Sequence, residues 1–318
     1  MINICKVLLT SLVAITMLTG CNRNGSKSTE PVLKNRRVLP PLSFSAPQAT
    51  NAFNRVVKLV EECTPRDSGT AGGEKAALWL QSQLINEGLA TELDRFEDKT
   101  PYGIKTFNNV IGTIPGSSDK WIILLSHYDT KSGISHSFQG ANDSGSSTGL
   151  LLELASAIKR AETHHYNYIF GFMDGEECIL AYSDRDGFHG SKHFANQLKQ
   201  DNTKIKAVIL TDMIGDRDLQ ITIPRNSSKE LKLLALKAAS ASGHRDKIMI
   251  GNDIIYDDHQ AFLDLKYPAI NLIDFQFGSK PGANDYWHTN DDSIDKLSVK
   301  SLLITGQIVM ELINQIRQ

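Results

Sequence analysis

Glu176 and Glu177 are adjacent acids at the point where a buried strand must end. The run 166–173 (Tyr-Asn-Tyr-Ile-Phe-Gly-Phe-Met) is apolar and aromatic enough for a core strand, and Asp174, Gly175, Glu176 and Glu177 follow at once. Like charges side by side at the rim of a core repel each other and resist desolvation. They need a cation or a proton-transfer role. Consecutive residues point in different directions, so one carboxylate can hold a metal while the other moves a proton. Taken alone, Asp-Gly followed by two acids is also a common solvated turn, because acids are mostly exposed. The reading shifts because ligand-type residues end other strands in the same way.

The buried run 121–125 delivers Ser126, His127, Tyr128 and Asp129. The run 207–210 delivers Asp212, and Asp143 lies in the loop that opens a long helix over 145–160. Histidine, aspartate and glutamate without cysteine form the donor chemistry of a catalytic zinc site; a structural zinc site is more often closed and cysteine-rich. Three protein ligands and one open position let such an ion act as a Lewis acid on a carbonyl oxygen.

The elements that must position these residues alternate. Helical spacing covers 49–62 and 74–87, the second closed by Gly88, and 65–73 reads as a turn-rich loop. Short strand-like runs follow at 91–96 and 109–114. Beyond the three buried strands already named, helices are expected over 191–199, 229–240 and 299–316, and strands over 219–223 and 269–273. Alternating buried strands and helices make a mostly parallel α/β sheet. In such sheets ligands bind beyond the carboxyl ends of the strands, where His127, Glu176, Glu177 and Asp212 all fall.

The chain has 318 residues, 41% of them apolar, and a net charge of -2. That supports a large core and carries no basic excess of the nucleic-acid-binding kind, so no nucleic-acid partner is expected. Residues 1–20 read as a signal segment: Lys6 is the positive n-region, and Val7 to Leu18 is an apolar stretch shorter than the ~20 residues a spanning helix needs. Leu18, Thr19, Gly20 and Cys21 resemble a bacterial lipobox, which implies lipidation at Cys21 and a lipoprotein exported to the periplasmic side of a membrane. An ordinary signal peptide with an incidental cysteine is the alternative. Residues 21–40 read as a polar tether, and 41–318 as the catalytic domain. Of the four cysteines, Cys63 and Cys178 stay in the mature domain. A disulfide between them is open on sequence, and Cys178 reads best as a buried structural thiol.

Five ordered motifs resemble the zinc aminopeptidase superfamily: His127-Tyr128-Asp129, Asn142 to Gly145, Asp174 to Glu177, Leu210 to Gly215, and Trp287 to Asp292. The loop 65–73 resembles that superfamily's N-terminal signature. Within it, Trp287-His288-Thr289, the segment Asp257 to Leu263, and Ser183 to Lys192 are most similar to the glutaminyl-peptide cyclotransferases. Ala261 replaces a usual proline, and Tyr182 stands where animal cyclases carry tryptophan. The resemblance implies an α/β three-layer sandwich whose central mixed, mostly parallel sheet is flanked by helices. It implies one zinc on Asp143, Glu177 and His288, with Glu176 as general acid/base. Asp212 and Asp257 would form a hydrogen-bonded network beside Glu176, with Trp287 walling the side-chain pocket and Tyr182 at the substrate. The implied partners are peptides or proteins with N-terminal glutamine, and a monomer suffices.

Cyclising an N-terminal glutamine fits those roles, because the α-amine attacks its own side-chain amide and no external nucleophile is required. Glu176 would carry the proton from the amine to the departing ammonia. The rival is a two-zinc aminopeptidase, for which His127 and Asp212 would complete a second site with a bridging water; ligand count does not separate the two. A non-catalytic binding lipoprotein on the same fold sits poorly with an intact Glu176. Asp257 has a plainer alternative as a helix cap, and His259 as a local structural bond. His164 and His165, between a helix and a strand, read as exposed, and His136, His189, His193 and His244 lack ligand partners at useful spacing. Phe277 is a further pocket-lining candidate.

Overall fold

Period-two alternation in three short strands sets the architecture. The structure is a computed structural model describing residues 39–318; the signal segment, Cys21 and nearly all of the tether lie outside the described residues. Leu39 to Gln318 form one unit. In β3 (Lys120–His127), Ile122 and Leu124 enter one core while Ile123 and Leu125 enter another on the opposite face. In β4 (Asn167–Met173), Tyr168, Phe170 and Phe172 face the first core, and Ile169 and Met173 the second. In β5 (Lys204–Asp212), Ala207 and Ile209 oppose Val208 and Leu210 in the same way. Strands buried on both faces need helices on both faces.

The first core takes α1 (Ala46–Cys63), α2 (Ala71–Asn86), α3 (Ser147–Lys159), α5 (Lys229–Ala241) and α7 (Val299–Arg317); the second takes α4 (His189–Gln200) and α6 (His259–Asp264). The result is a three-layer α/β sandwich. The remaining strands are β1 (Ala90–Thr100), β2 (Gly103–Ile114), β6 (Ile221–Ile223), β7 (Ile248–Ile250) and β8 (Ala269–Ile273), in spatial order β1-β2-β4-β3-β5-β8-β6-β7. β3 pairs in parallel with β4 and β5, and β5 with β8, whereas β1–β2, β2–β4 and β6–β8 are antiparallel. His127 pairs with Met173 and Asp212 with Ile273, so the carboxyl ends of β3, β4, β5 and β8 lie side by side.

Two local outcomes differ from the periodicity. The glycines of the 65–73 loop belong partly to α2, which starts at Ala71 with the Thr70 hydroxyl accepting from the Gly73 N–H. A Cβ at Gly72 would sit 2.2 Å from the Pro65 carbonyl oxygen, so this first turn packs on backbone that only glycine admits. The helix expected from residue 145 begins instead as a π turn, Ala141–Ser146, inside which Asp143 has non-helical backbone (φ -101°, ψ 90°). Cys63 and Cys178 are both buried and both free, which answers the disulfide question in the negative.

Candidate metal centre and active site

Asp143 is held by a carboxylate and a guanidinium that are both fully buried. The N–H groups of Asn142 and Asp143 donate to Asp292 at 2.7 and 3.1 Å. Arg66 donates to the carbonyls of Tyr128, Gln139 and Gly140 at 2.5–2.6 Å, tying the end of β3 to the turn that carries Asp143. Burial lowers the Arg66 pKa, opposed first by the charge of Asp292.

Asp129 organises the glutamate pair. Gly175 (φ 72°) turns the chain after β4, and the N–H groups of Glu176 and Glu177 then donate to Asp129 Oδ1 and Oδ2 at 3.2 and 3.1 Å. The same carboxylate accepts from Ser68 Oγ at 2.8 Å and faces His127 Nδ1 at 3.4 Å. One buried acid therefore aligns two glutamates and a histidine from different strands.

The side chains converge on Asp143. His127 Nε2 faces Asp143 Oδ1 at 3.1 Å and Asp212 Oδ1 at 3.3 Å. His288 Nε2 faces Glu177 Oε1 at 2.9 Å and Asp143 Oδ2 at 3.3 Å. Trp287 donates Nε1–H to Asp143 Oδ2 at 2.9 Å, stacks on the His288 ring at 3.9 Å and meets Phe275 edge-on at 5.1 Å. The indole expected as a pocket wall thus also grips a carboxylate at the centre.

Two donor sets are close enough to share an ion: Asp143, Glu177 and His288, and His127, Asp143 and Asp212, each with its ligand atoms within 4.8 Å of one another. One imidazole and two carboxylates per set suit a metal ion of the catalytic type. The electrostatics agree. Burial opposes charge on His288 and on His127, yet hydrogen bonds to the acids raise both imidazoles, His288 to about 9. Burial would raise Asp143, but its bonds to His127 and His288 carry it below the usual carboxylate range. Burial, reinforced by Asp143, lifts Glu177 to about 7. These acids demand positive charge, which an ion supplies in exchange for protons.

Glu176 belongs to neither set. Burial raises its pKa well above the carboxylate range, with His127 opposing and Glu177, Asp257 and Asp258 adding to the rise. Its oxygens face the Tyr182 hydroxyl at 3.3 and 3.4 Å, which also reaches Glu177 Oε2 at 3.5 Å. Burial, and then the charges of Glu176 and Glu177, raise the Tyr182 phenol, which stays a protonated donor.

Asp212 and Asp257 are charge neighbours here: burial first and Asp212 second push Asp257 up. Their own hydrogen bonds go elsewhere, Asp212 to His127 and Asp257 Oδ2 to the Asn271 amide at 2.6 Å. Asp257 Oδ1 accepts the Asp258 N–H, and the residue at the N-cap of α6 is Asp258, so Asp257 is no helix cap. His259 Nε2 lies 3.3 Å from Asn226 Nδ2, a structural contact. His189 and His193 pair with Asp98 and Asp94 away from the centre. Phe277 is buried in a small core with Met213 and Ile273, against which Trp287 packs, and Phe275 meets the indole edge-on. Arg66, Asp129, Asp292 and Asn271 had no assigned role on sequence. Arg66, Asp129 and Asp292 stood inside quoted motifs, which was the available signal.

A sequence model of peptidase family M28 matches residues 109–313. The chain is 29% identical over 291 residues to a glutaminyl-peptide cyclotransferase of Dictyostelium discoideum, covering 74% of this chain and 78% of that protein. Its fold is similar to the crystal structure of a glutaminyl cyclase from an Acidobacteriales bacterium, at 33% identity and a TM-score of 0.80, covering 91% of this chain and 99% of that one. It is also similar to a Zn-dependent exopeptidase from Parabacteroides distasonis, at 25% identity and a TM-score of 0.74, covering 87% and 99%.

Proposed function

This chain belongs to peptidase family M28, and on that footing we infer that it is a glutaminyl-peptide cyclotransferase, converting N-terminal glutamine to pyroglutamate with release of ammonia. The cyclotransferase and cyclase relatives support this reaction over peptide hydrolysis. The observation that carries the mechanism is the separation of Glu176 from both donor sets, which leaves one buried carboxylate free to move a proton.

Asp143, Glu177 and His288 would hold a zinc ion, which when bound supplies Lewis acidity to the side-chain carbonyl of the substrate glutamine. Glu176 accepts a proton from the α-amine as its nitrogen bonds to the side-chain carbonyl carbon. It returns that proton to the amide nitrogen as the carbon–nitrogen bond breaks and ammonia leaves. Its elevated proton affinity suits this shuttle. Asp129 keeps Glu176 and Glu177 in register, and Asp292 and Trp287 fix Asp143, so the reacting groups are positioned before substrate arrives. Glu177, Asp257 and Asp258 lie beside Glu176 and favour its protonated form after the first transfer.

The test is a short peptide beginning with glutamine. The product expected is ammonia plus a peptide shortened by no residue and blocked at its N-terminus, with leucine amides left intact. Free amino acid would instead indicate hydrolysis. Metal analysis is expected to give about one zinc per chain; two would place an ion on His127, Asp143 and Asp212 as well and favour the aminopeptidase. The lipobox-like Leu18 to Cys21 supports a lipid-anchored protein on the periplasmic side of a membrane. Cys21→Ser is expected to release the enzyme from the membrane fraction, and sedimentation of the freed domain to give a monomer.

A further inference from the structure

We propose that Tyr182 is a positioning residue whose hydroxyl holds the Glu176 carboxylate in its reactive orientation. This rests on the cyclotransferase reading and adds to it a residue with a defined task. Tyr182 is 44% exposed, yet its ring is clamped. The segment before it is closed on Asp186, a fully buried acid that accepts the N–H groups of Ile179, Leu180 and Ala181 at 2.6, 2.7 and 3.1 Å. The ring stacks on Phe188 at 4.7 Å with 16° between planes. It also lies against Gly187, where an added Cβ would meet a ring carbon at 2.5 Å and where φ is 86°. Glycine at 187 is thus required both for the turn and for the flat approach of the phenol.

This clamp aims the hydroxyl at the proton-shuttling acid. It lies 3.3 and 3.4 Å from the two oxygens of Glu176. No other hydrogen bond reaches that carboxylate among the described residues. A donor shared by both oxygens restrains rotation of the carboxylate, and each long contact is weak enough to be exchanged for an incoming amine. Without it, Glu176 keeps its backbone anchor on Asp129 but loses its side-chain guide.

Tyr182→Phe keeps the stack on Phe188 and removes only the hydroxyl. With glutaminyl peptide and zinc-loaded enzyme, kcat is expected to fall about tenfold while KM stays within about threefold, the size expected for one lost hydrogen bond to a reacting group. Thermal unfolding and zinc affinity, read by chelator competition, are expected to match the wild type. Tyr182→Ala, which also removes the ring, is expected to raise KM in addition. A rise in KM at unchanged kcat in Tyr182→Phe would reduce the residue to a pocket wall. Weakened zinc binding would assign the hydroxyl to Glu177 instead. Either result overturns the proposal while leaving the cyclotransferase reading intact. Absence of cyclised product from the wild type would sink that reading and this proposal with it.

Discussion

Trp287 donates its indole N–H to Asp143 Oδ2 at 2.9 Å, and that same oxygen faces His288 Nε2 at 3.3 Å. The aromatic residue next to the histidine is therefore a brace for the carboxylate shared by both donor sets. Removing such a partner typically costs tenfold or more in metal affinity. Trp287→Phe keeps an aromatic face for His288 and Phe275 but no donor. Its zinc dissociation constant is expected to rise about tenfold in chelator competition, with kcat recovering at saturating zinc.

Asp129 accepts from three donors and faces His127, so its loss should disturb more than one strand end. Asp129→Asn presents an amide N–H toward backbone N–H groups that previously met a carboxylate oxygen. Urea unfolding is expected to show a loss of about 2 kcal/mol, the cost of leaving buried donors unmet. Turnover should fall as well, because Glu176 and Glu177 no longer share a fixed frame. Unchanged kcat in a folded, metal-loaded Asp129→Asn would show that the backbone turn at Gly175 suffices.

The strand-borne half of this centre was legible because β3, β4 and β5 are apolar on both faces and stop abruptly at His127, Met173 and Asp212. Position at the carboxyl edge followed from topology. The loop-borne half was less legible: Asp143 could be placed only as a loop residue before a helix, where the chain forms a π turn, and His288, in left-handed backbone (φ 56°), entered only through motif resemblance. Arg66 stood inside the quoted loop 65–73 without a role, because its burial depends on carbonyls more than sixty residues away. β1 runs to Thr100 through Glu97, Asp98 and Lys99 because it is an edge strand, where charge protects against further pairing. β7 was missed since only Ile248 of its three residues is buried.

Glu176 and His288 should separate chemistry from metal binding. Glu176→Gln keeps the size and the Tyr182 contact but cannot accept a proton; kcat is expected to fall by about 10²–10⁴ with zinc retained. His288→Ala removes the only nitrogen donor from the set with Asp143 and Glu177 and is expected to lose both zinc and activity. Elemental analysis of the two purified variants distinguishes them, and zinc loss in Glu176→Gln would place that acid among the ligands.

His259 gives a stability prediction independent of the metal. Its imidazole is fully buried on α6, and burial alone lowers its pKa to about 4 from about 6.5 in an unfolded chain. Between those values the unfolded chain binds a proton that the folded protein refuses. Stability attributable to this group is therefore complete above about pH 6.5, declines as pH falls through the window, and levels off below about pH 4. A displacement of this size corresponds to at most about 3 kcal/mol. The carboxylates and any bound metal also respond to acid, so the informative quantity is the difference between wild type and His259→Asn. Asparagine can still meet Asn226 and does not titrate. Urea midpoints measured from pH 7.5 to 4.5 are expected to fall more steeply for the wild type, and parallel curves would show that the ring reaches water in the folded state.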